Sequence, residues 1–412
     1  MAAIAASEIK ERYQKLCEQK DALPHFYVLK TLTNAAADFL AGSTDDLNLD
    51  LSGNIKTITD VNVRLEDGDV ELLCAILSRS TALTSLDLRY NNLTDKSAPA
   101  LARLIKDSIS LREINLMCNN ITEEGASHIA KALHDSKTLK SLKLNGNKIG
   151  NKGGMFFAQA LQINGKLREL DLGDCDLGTE CVIAMATVLS QNKQLRAINL
   201  NRPIFFSYQE ECLVHLGKTL KVNSVLKELH IEKFDLQDFG VERLCDGLRE
   251  NYTLAYLNLR CNRVTRDGAL TLSKLLRRNT PLEILDLGFN RIEQDGAMYL
   301  SSALSTSNTN LKALVLVSNK IEGDGIVSLA AMMNINTTLT NIYVWGNDLD
   351  ENACESFGQL IQTGRLKTSN TDVKPYIVDG RTYLAEFSHG LRRFYYWTPT
   401  YGPDVVGYEE DN

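Results

Sequence analysis

A chain of 412 residues is long enough for two or three globular domains or for one extended repeat array. Apolar residues make up 44% and charged residues 24%, as in folded soluble proteins, and a net charge of −7 leaves no basic footprint for duplex nucleic acid. No run of about 18 apolar residues occurs, so no membrane-spanning helix is expected. The opening Met1-Ala-Ala-Ile-Ala-Ala-Ser7 lacks the basic start and apolar core of a secretory signal.

Residues 1–45 read as a helical N-terminal cap. Ser7 can cap a helix carrying Ile9, Tyr13 and Leu16, and a second segment gathers Val28, Leu29, Leu32, Ala36, Phe39 and Leu40 on one side. Such a pair either covers the first repeat or binds a partner in its own right.

From Leu83 the sequence repeats every 28 residues in the frame L-x-x-L-x-L-x-x-N-x-L. The first copy is Leu83/Leu86/Leu88/Asn91/Leu93; others begin at Leu111, Leu139, Leu167 and Leu195, with Cys175 and Pro203 replacing Asn in the last two. After a three-residue insertion the frame resumes at Leu226 with Phe234 in the slot, then at Leu254, Leu282, Leu311 and Leu339. That makes ten copies, and an eleventh, degenerate one can be placed through Ile55, Ile58 and Leu65. Residues 46–363 are accordingly assigned to the solenoid and 364–412 to a separate tail.

Each unit reads as strand, turn and helix. Alternation at Leu86 and Leu88 gives a strand with one buried face, and the slot Asn can bond backbone groups where that strand stops. Ala126, Ile129, Ala130 and Leu133 then fall on one helical face. Strands stack about 4.8 Å apart and helices about 8–10 Å, so the strands must line the inside of an arc. The expected fold is an α/β horseshoe solenoid, its parallel sheet concave and its helices convex. The frame at 111–133 resembles the ribonuclease-inhibitor-type class of leucine-rich repeats. That resemblance covers about residues 50–363 and implies the fold, while the class includes inhibitors, GTPase-activating proteins and immune sensors.

The pattern stops after Ile361. Val373–Val378, Asp379-Gly380 and Arg381–Phe387 carry a strong hairpin signal, and Leu391–Trp397 would complete a three-stranded β-meander. Val344-Trp-Gly-Asn347, Val378-Asp-Gly-Arg381 and Tyr395-Tyr-Trp-Thr398 are not general repeat residues. They resemble one animal branch of the leucine-rich-repeat proteins, and that resemblance spans nearly the whole chain. It implies a non-catalytic protein of ciliated or germ-line cells, with axonemal and nucleolar placements both open.

Catalytic chemistry finds little support. The six histidines form no ligand-spaced group, no Gly-Lys-Ser/Thr follows Gly146–Gly154, and the nine cysteines contain no CxxC, which suits reduced thiols in the cytosol or nucleus. No cofactor, metal, membrane or small-molecule substrate is expected. What remains is the concave face. Its first six repeats are polar with an acidic lean, whereas Tyr256, Ile284, Val315, Val317, Tyr343 and Trp345, with Arg260, would form a largely apolar stripe. An exposed stripe of that kind marks an interface, unless the protein's own tail covers it. A second candidate is the insertion, with Phe205, Phe206 and Tyr208 either contacting a partner or repacking locally.

The expected function is therefore a scaffold or adaptor that binds proteins through the concave face and tail, as a subunit of a ciliary or flagellar axonemal assembly. A nucleolar factor in ribosome biogenesis is the first alternative. The second is a GTPase activator or an inhibitor of the ribonuclease-inhibitor type; activators of this class generally carry a long acidic tail, and this chain has only Glu409-Glu-Asp411.

Overall fold

A computed structural model describes residues 2–40, 46–53, 64–78, 80–205 and 210–387. The described residues fall into two compact units, divided between Val188 and Leu189.

The first unit opens with helices α1 (Ala2–Gln19) and α2 (Phe26–Leu40). Ile9, Tyr13 and Cys17 form the buried face of α1, while Leu16 is half-buried. The cap is pinned by polar bonds as well. The Tyr13 hydroxyl accepts from His25 N–H at 3.1 Å, and Tyr27 Oη donates to the Asp50 carbonyl at 3.3 Å. Strands β1 (Leu47–Asp50), β2 (Leu83–Asp87), β3 (Glu113–Asn115), β4 (Ser141–Lys143) and β5 (Glu169–Asp171) then pair in parallel, each with the next. Between them run α3 (Asp67–Leu77), α4 (Ala98–Asp107), α5 (Glu123–Asp135) and α6 (Gly150–Ile163), and α7 (Thr179–Gln191) follows β5.

The degenerate first copy departs from expectation. Its strand uses Leu47 and Leu49, which pair with Leu83 and Leu86 respectively, while Ile55 and Ile58 lie outside the described residues. Leu65 N–H donates to Asn91 Oδ1 at 2.8 Å, the same bond that Leu93 makes to Asn119 at 3.1 Å. The copy is thus real but lengthened between strand and turn, which breaks the 28-residue spacing.

In the second unit β6 (Ala197–Asn199), β7 (Glu228–His230), β8 (Tyr256–Asn258), β9 (Ile284–Asp286), β10 (Ala313–Val315) and β11 (Asn341–Tyr343) again pair in parallel in chain order. Their helices are α8 (Glu210–Val222), α9 (Asp238–Leu248), α10 (Arg266–Leu276), α11 (Glu293–Thr306), α12 (Gly323–Ile335) and α13 (Glu351–Gln362). A 3-10 turn at Thr368–Asn370 leads into the antiparallel hairpin β12 (Val373–Val378) and β13 (Arg381–Glu386). Asp379 and Gly380 have φ of 50° and 78°, the paired positive values of a tight hairpin turn whose twist matches its strands. The third strand expected at 391–397 lies outside the described residues.

Leucines at the inward strand positions, such as Leu257 and Leu285, are fully buried, and so are the helix positions Ala269 and Leu276. Three polar ladders join one repeat to the next. In the slot, Asn290 Nδ2 donates to the carbonyls of Leu287 and of Leu259 in the preceding repeat, both at 2.9 Å, and its Oδ1 accepts from Val264 N–H at 3.0 Å. One side chain thereby satisfies buried groups in two turns. Asn290→Ala would leave them unpaired, and an expected loss of about 2 kcal/mol in chemical denaturation measures the ladder. Cys175, in the same slot, makes a thiol contact to the Leu144 carbonyl at 3.2 Å.

The second ladder went unread in the sequence. Asn164 Oδ1 accepts from Lys166 and Leu167 N–H, both at 2.8 Å, as the chain leaves α6; Asn251, Asn308 and Asn336 bond the two following N–H groups in the same fashion. Arg365 ends this series, donating to the Met333 carbonyl at 2.6 Å and the Leu339 carbonyl at 3.1 Å. The third ladder holds helix starts: Asp238 accepts from Thr265 N–H at 2.8 Å and Gly268 N–H at 3.0 Å, placing a carboxylate at the positive end of α10.

Candidate functional site

The outward strand positions β8–β11 hold most of the predicted stripe, but they are not open surface. Tyr256 is 4% exposed, Ile284 0%, Val315 1% and Tyr343 3%, so the expectation of an exposed apolar stripe needs correction at these four residues. Tyr256, Ile284 and Ala313 pack as one cluster on neighbouring strands. Burial raises the Tyr256 hydroxyl well above its usual range, with Asp286 and Glu228 adding to the effect. His230 packs edge-on against Tyr256 at 4.7 Å between centroids and lies 3.3 Å from Glu228 Oε2.

Arg260, Val317 and Trp345 remain half-buried at the positions just beyond the strands. Their backbones stay in register, because Phe289 N–H donates to the Val317 carbonyl at 2.7 Å and Ser318 N–H to the Trp345 carbonyl at 2.9 Å. Between Arg260 and Val317 the chain carries Gly288, and this glycine has a steric job. A Cβ there would stand 2.6 Å from Arg260 Nη1. The guanidinium uses that space to lie over the Phe289 ring, 4.4 Å from its centroid, while Nη1 stays 3.9 Å from Asp286 Oδ1. Burial raises the Asp286 carboxyl above its usual range, and Arg260 opposes that rise.

Phe289 was missed by reasoning from the sequence. It is 45% exposed, and its φ of 57° places a bulky side chain in the left-handed region, at a cost of about 1–2 kcal/mol. The equivalent positions in neighbouring repeats hold Cys261, Ser318 and Gly346, so the signal available was one aromatic among small residues. Arg260, Phe289, Val317 and Trp345 together form an accessible row with a cation over an aromatic face, an arrangement suited to anchoring a protein surface.

The insertion presents a different picture. Phe205 is half-buried and meets Phe234 edge-on at 5.0 Å, the residue that occupies its repeat's asparagine slot. An aromatic pair fills space that the polar ladder holds elsewhere. Phe206 and Tyr208 lie outside the described residues. Among the described residues no three His, Cys, Asp or Glu side chains are grouped to hold a metal, and no helix is long and apolar enough to cross a membrane.

The family model described as "Leucine Rich repeat" matches residues 79–102, 107–130, 135–158, 164–186, 250–273, 278–301 and 307–330. With the parallel sheet and the ladders, those matches define the chain as a leucine-rich-repeat solenoid. More particularly, it is similar to leucine-rich repeat-containing protein 34. It is 51% identical over 209 residues to that of Rattus norvegicus, covering 51% of this chain and 50% of the relative. It is 49% identical over 205 residues to that of Homo sapiens, covering 50% and 44%. The matched stretch thus spans about half of this chain and about half the length of these curated relatives. Among solved structures, "Leiomodin-1 Actin-Binding Site 2 (ABS2)" is 20% identical, covering 38% of this chain and 87% of its own, with a TM-score of 0.31. The tropomodulin C-terminal domain from Caenorhabditis elegans is 21% identical, covering 31% and 77%, with a TM-score of 0.28. Likenesses this slight carry no argument about function.

Proposed function

We propose that this chain is a non-catalytic scaffold that binds protein partners, within a ciliary or flagellar axonemal assembly. The observation that carries the binding role is the accessible row of Arg260, Phe289, Val317 and Trp345, where a guanidinium lies over an exposed aromatic ring. Repeat stacking supplies the rigid base, since each residue of the row stands just past the strand of its own repeat. The setting rests on the resemblance to leucine-rich repeat-containing protein 34.

Phe289→Ala and Trp345→Ala test the proposal. Each is expected to weaken partner binding about thirtyfold, equivalent to about 2 kcal/mol for a buried aromatic anchor, with little change in thermal stability. Proximity labelling in ciliated cells reads the outcome. The wild-type chain is expected to mark axonemal neighbours that both variants lose. An unchanged neighbour set in the variants would sink the binding row, and nucleolar neighbours in the wild type would sink the axonemal setting.

A further inference from the structure

Three connections of the first unit, each between a helix and the next strand, concentrate positive charge. Ser108–Arg112 follows α4, Ser136–Lys140 follows α5 and Asn164–Arg168 follows α6. Together they hold Arg112, Lys137, Lys140, Lys166 and Arg168 and no carboxylate, in a chain whose net charge is −7. Arg112, Lys137, Lys166 and Arg168 are exposed, and Lys140 is half-buried. The connections stack in register: Lys140 N–H donates to the Arg112 carbonyl at 2.7 Å, and Arg168 N–H to the Lys140 carbonyl at 2.8 Å. One strand spacing of about 4.8 Å separates each from the next, so Arg112, Lys140 and Arg168 form a column about 10 Å long.

Cations that follow helices commonly cap the last carbonyls. Here other groups do so. Asn164 Nδ2 donates to the Leu133 carbonyl at 2.6 Å, and Thr138 Oγ1 to the Ser108 carbonyl at 3.1 Å. Arg365 shows what a capping cation does in this fold, reaching the Met333 and Leu339 carbonyls at 2.6 and 3.1 Å. Among the described residues the five side chains of the column and its flanks make no ion pair or hydrogen bond. Nearby Lys106, by contrast, is held by Asp135 at 3.0 Å. Like charges on adjacent connections lie within one screening length, about 8 Å, and repel. An anion laid along them relieves that repulsion.

We propose that this edge binds an acidic segment of a partner protein, with carboxylates on the column and aliphatic side chains against Ile109 and Ile163. Those isoleucines are 71% and 63% exposed; Ile109 lies within the first connection and Ile163 immediately precedes the third. The three connections contain no aromatic to stack a base, which favours a peptide over single-stranded nucleic acid. The edge shares no residue with the row at Arg260 and Phe289, so it goes beyond that reading and does not depend on it.

The test adds the full chain to a labelled peptide of Glu interspersed with Leu and follows fluorescence anisotropy. Binding is expected to weaken about tenfold from low to physiological salt, as for contacts between exposed charges. At low salt Lys140→Glu with Arg168→Glu should weaken it about thirtyfold, and Ile109→Ser with Ile163→Ser about tenfold, with melting temperatures unchanged because none of the four side chains is buried. Lys131→Glu with Lys274→Glu makes the same change in net charge on α5 and α10 and should retain binding. Equal losses in the two charge-reversed proteins would reduce the effect to net charge and overturn the proposal. So would no binding by the wild type, equal binding of a peptide with Gln for every Glu, or tighter binding of a single-stranded RNA or an anionic phospholipid vesicle. None of these results bears on the neighbours that the Phe289 and Trp345 variants are expected to lose, so the two readings fail separately.

Discussion

Asp372→Ala is expected to release the hairpin from the last strand and to cost about 3 kcal/mol. In earlier repeats, N–H groups just past a strand find carbonyls in the following repeat; Leu316 N–H, for example, donates to the Tyr343 carbonyl at 2.8 Å. Among the described residues no further repeat follows β11, and the Asp372 carboxylate takes over, accepting from Val344 and Trp345 N–H at 2.9 and 3.1 Å. Alanine would orphan both donors, each worth about 1–3 kcal/mol when left buried. Amide exchange at Val344 and Trp345 should accelerate before any global change, and protection equal to wild type would refute the latch.

The same carboxylate gives a pH signature. Burial outweighs the two N–H donors and lifts its pKa from 3.8 to about 6. Since the folded state holds this proton more tightly than the unfolded chain, stability rises as pH falls through about 6 and levels off below the unfolded value. Relative to Asp372→Asn, which does not titrate, the wild type should gain about 1–2 kcal/mol between pH 7.5 and pH 5. Parallel pH profiles for the two proteins would count against the assignment.

Gly247→Ala is expected to cost about 3 kcal/mol or more, although alanine is the better helix former. Propensity alone favours alanine by about 1 kcal/mol within α9. Packing opposes it. A Cβ at Gly247 would stand 2.0 Å from the Gly217 carbonyl oxygen, and one at Gly217 would stand 2.3 Å from the Arg243 carbonyl oxygen. Both obstacles are backbone, so α8 and α9 must separate and give up contacts along their length. An isolated α9 peptide should become more helical with the substitution while the whole chain melts earlier. A whole chain that melts later would show that the helices can part at little cost.

Much of this architecture is legible in the residues because each rule is local and is restated in copy after copy. The leucine frame fixes which strand positions face inward, and Asp379-Gly380 fixes a turn that needs two positive φ values. The first copy was harder to place, since extra residues separate Leu51 from Leu65 and conceal that both bond Asn91. The second asparagine ladder escaped notice for another reason: Asn164 and Asn336 follow helices rather than the leucine frame, and their acceptors lie in the preceding repeat.

The candidate site was only half legible. By itself the sequence determined that Tyr256, Ile284, Arg260 and Trp345 share one face of one sheet, because strand alternation and a fixed period leave no other arrangement. Only the tertiary structure decided that Tyr256 and Ile284 are closed off while Arg260 and Trp345 stay accessible, and that Phe289 belongs with them. Periodicity specifies the direction in which a side chain points. Whether it meets water depends on what distant parts of the chain bring against it, and on spaces such as the one Gly288 leaves for Arg260, neither of which any local pattern encodes.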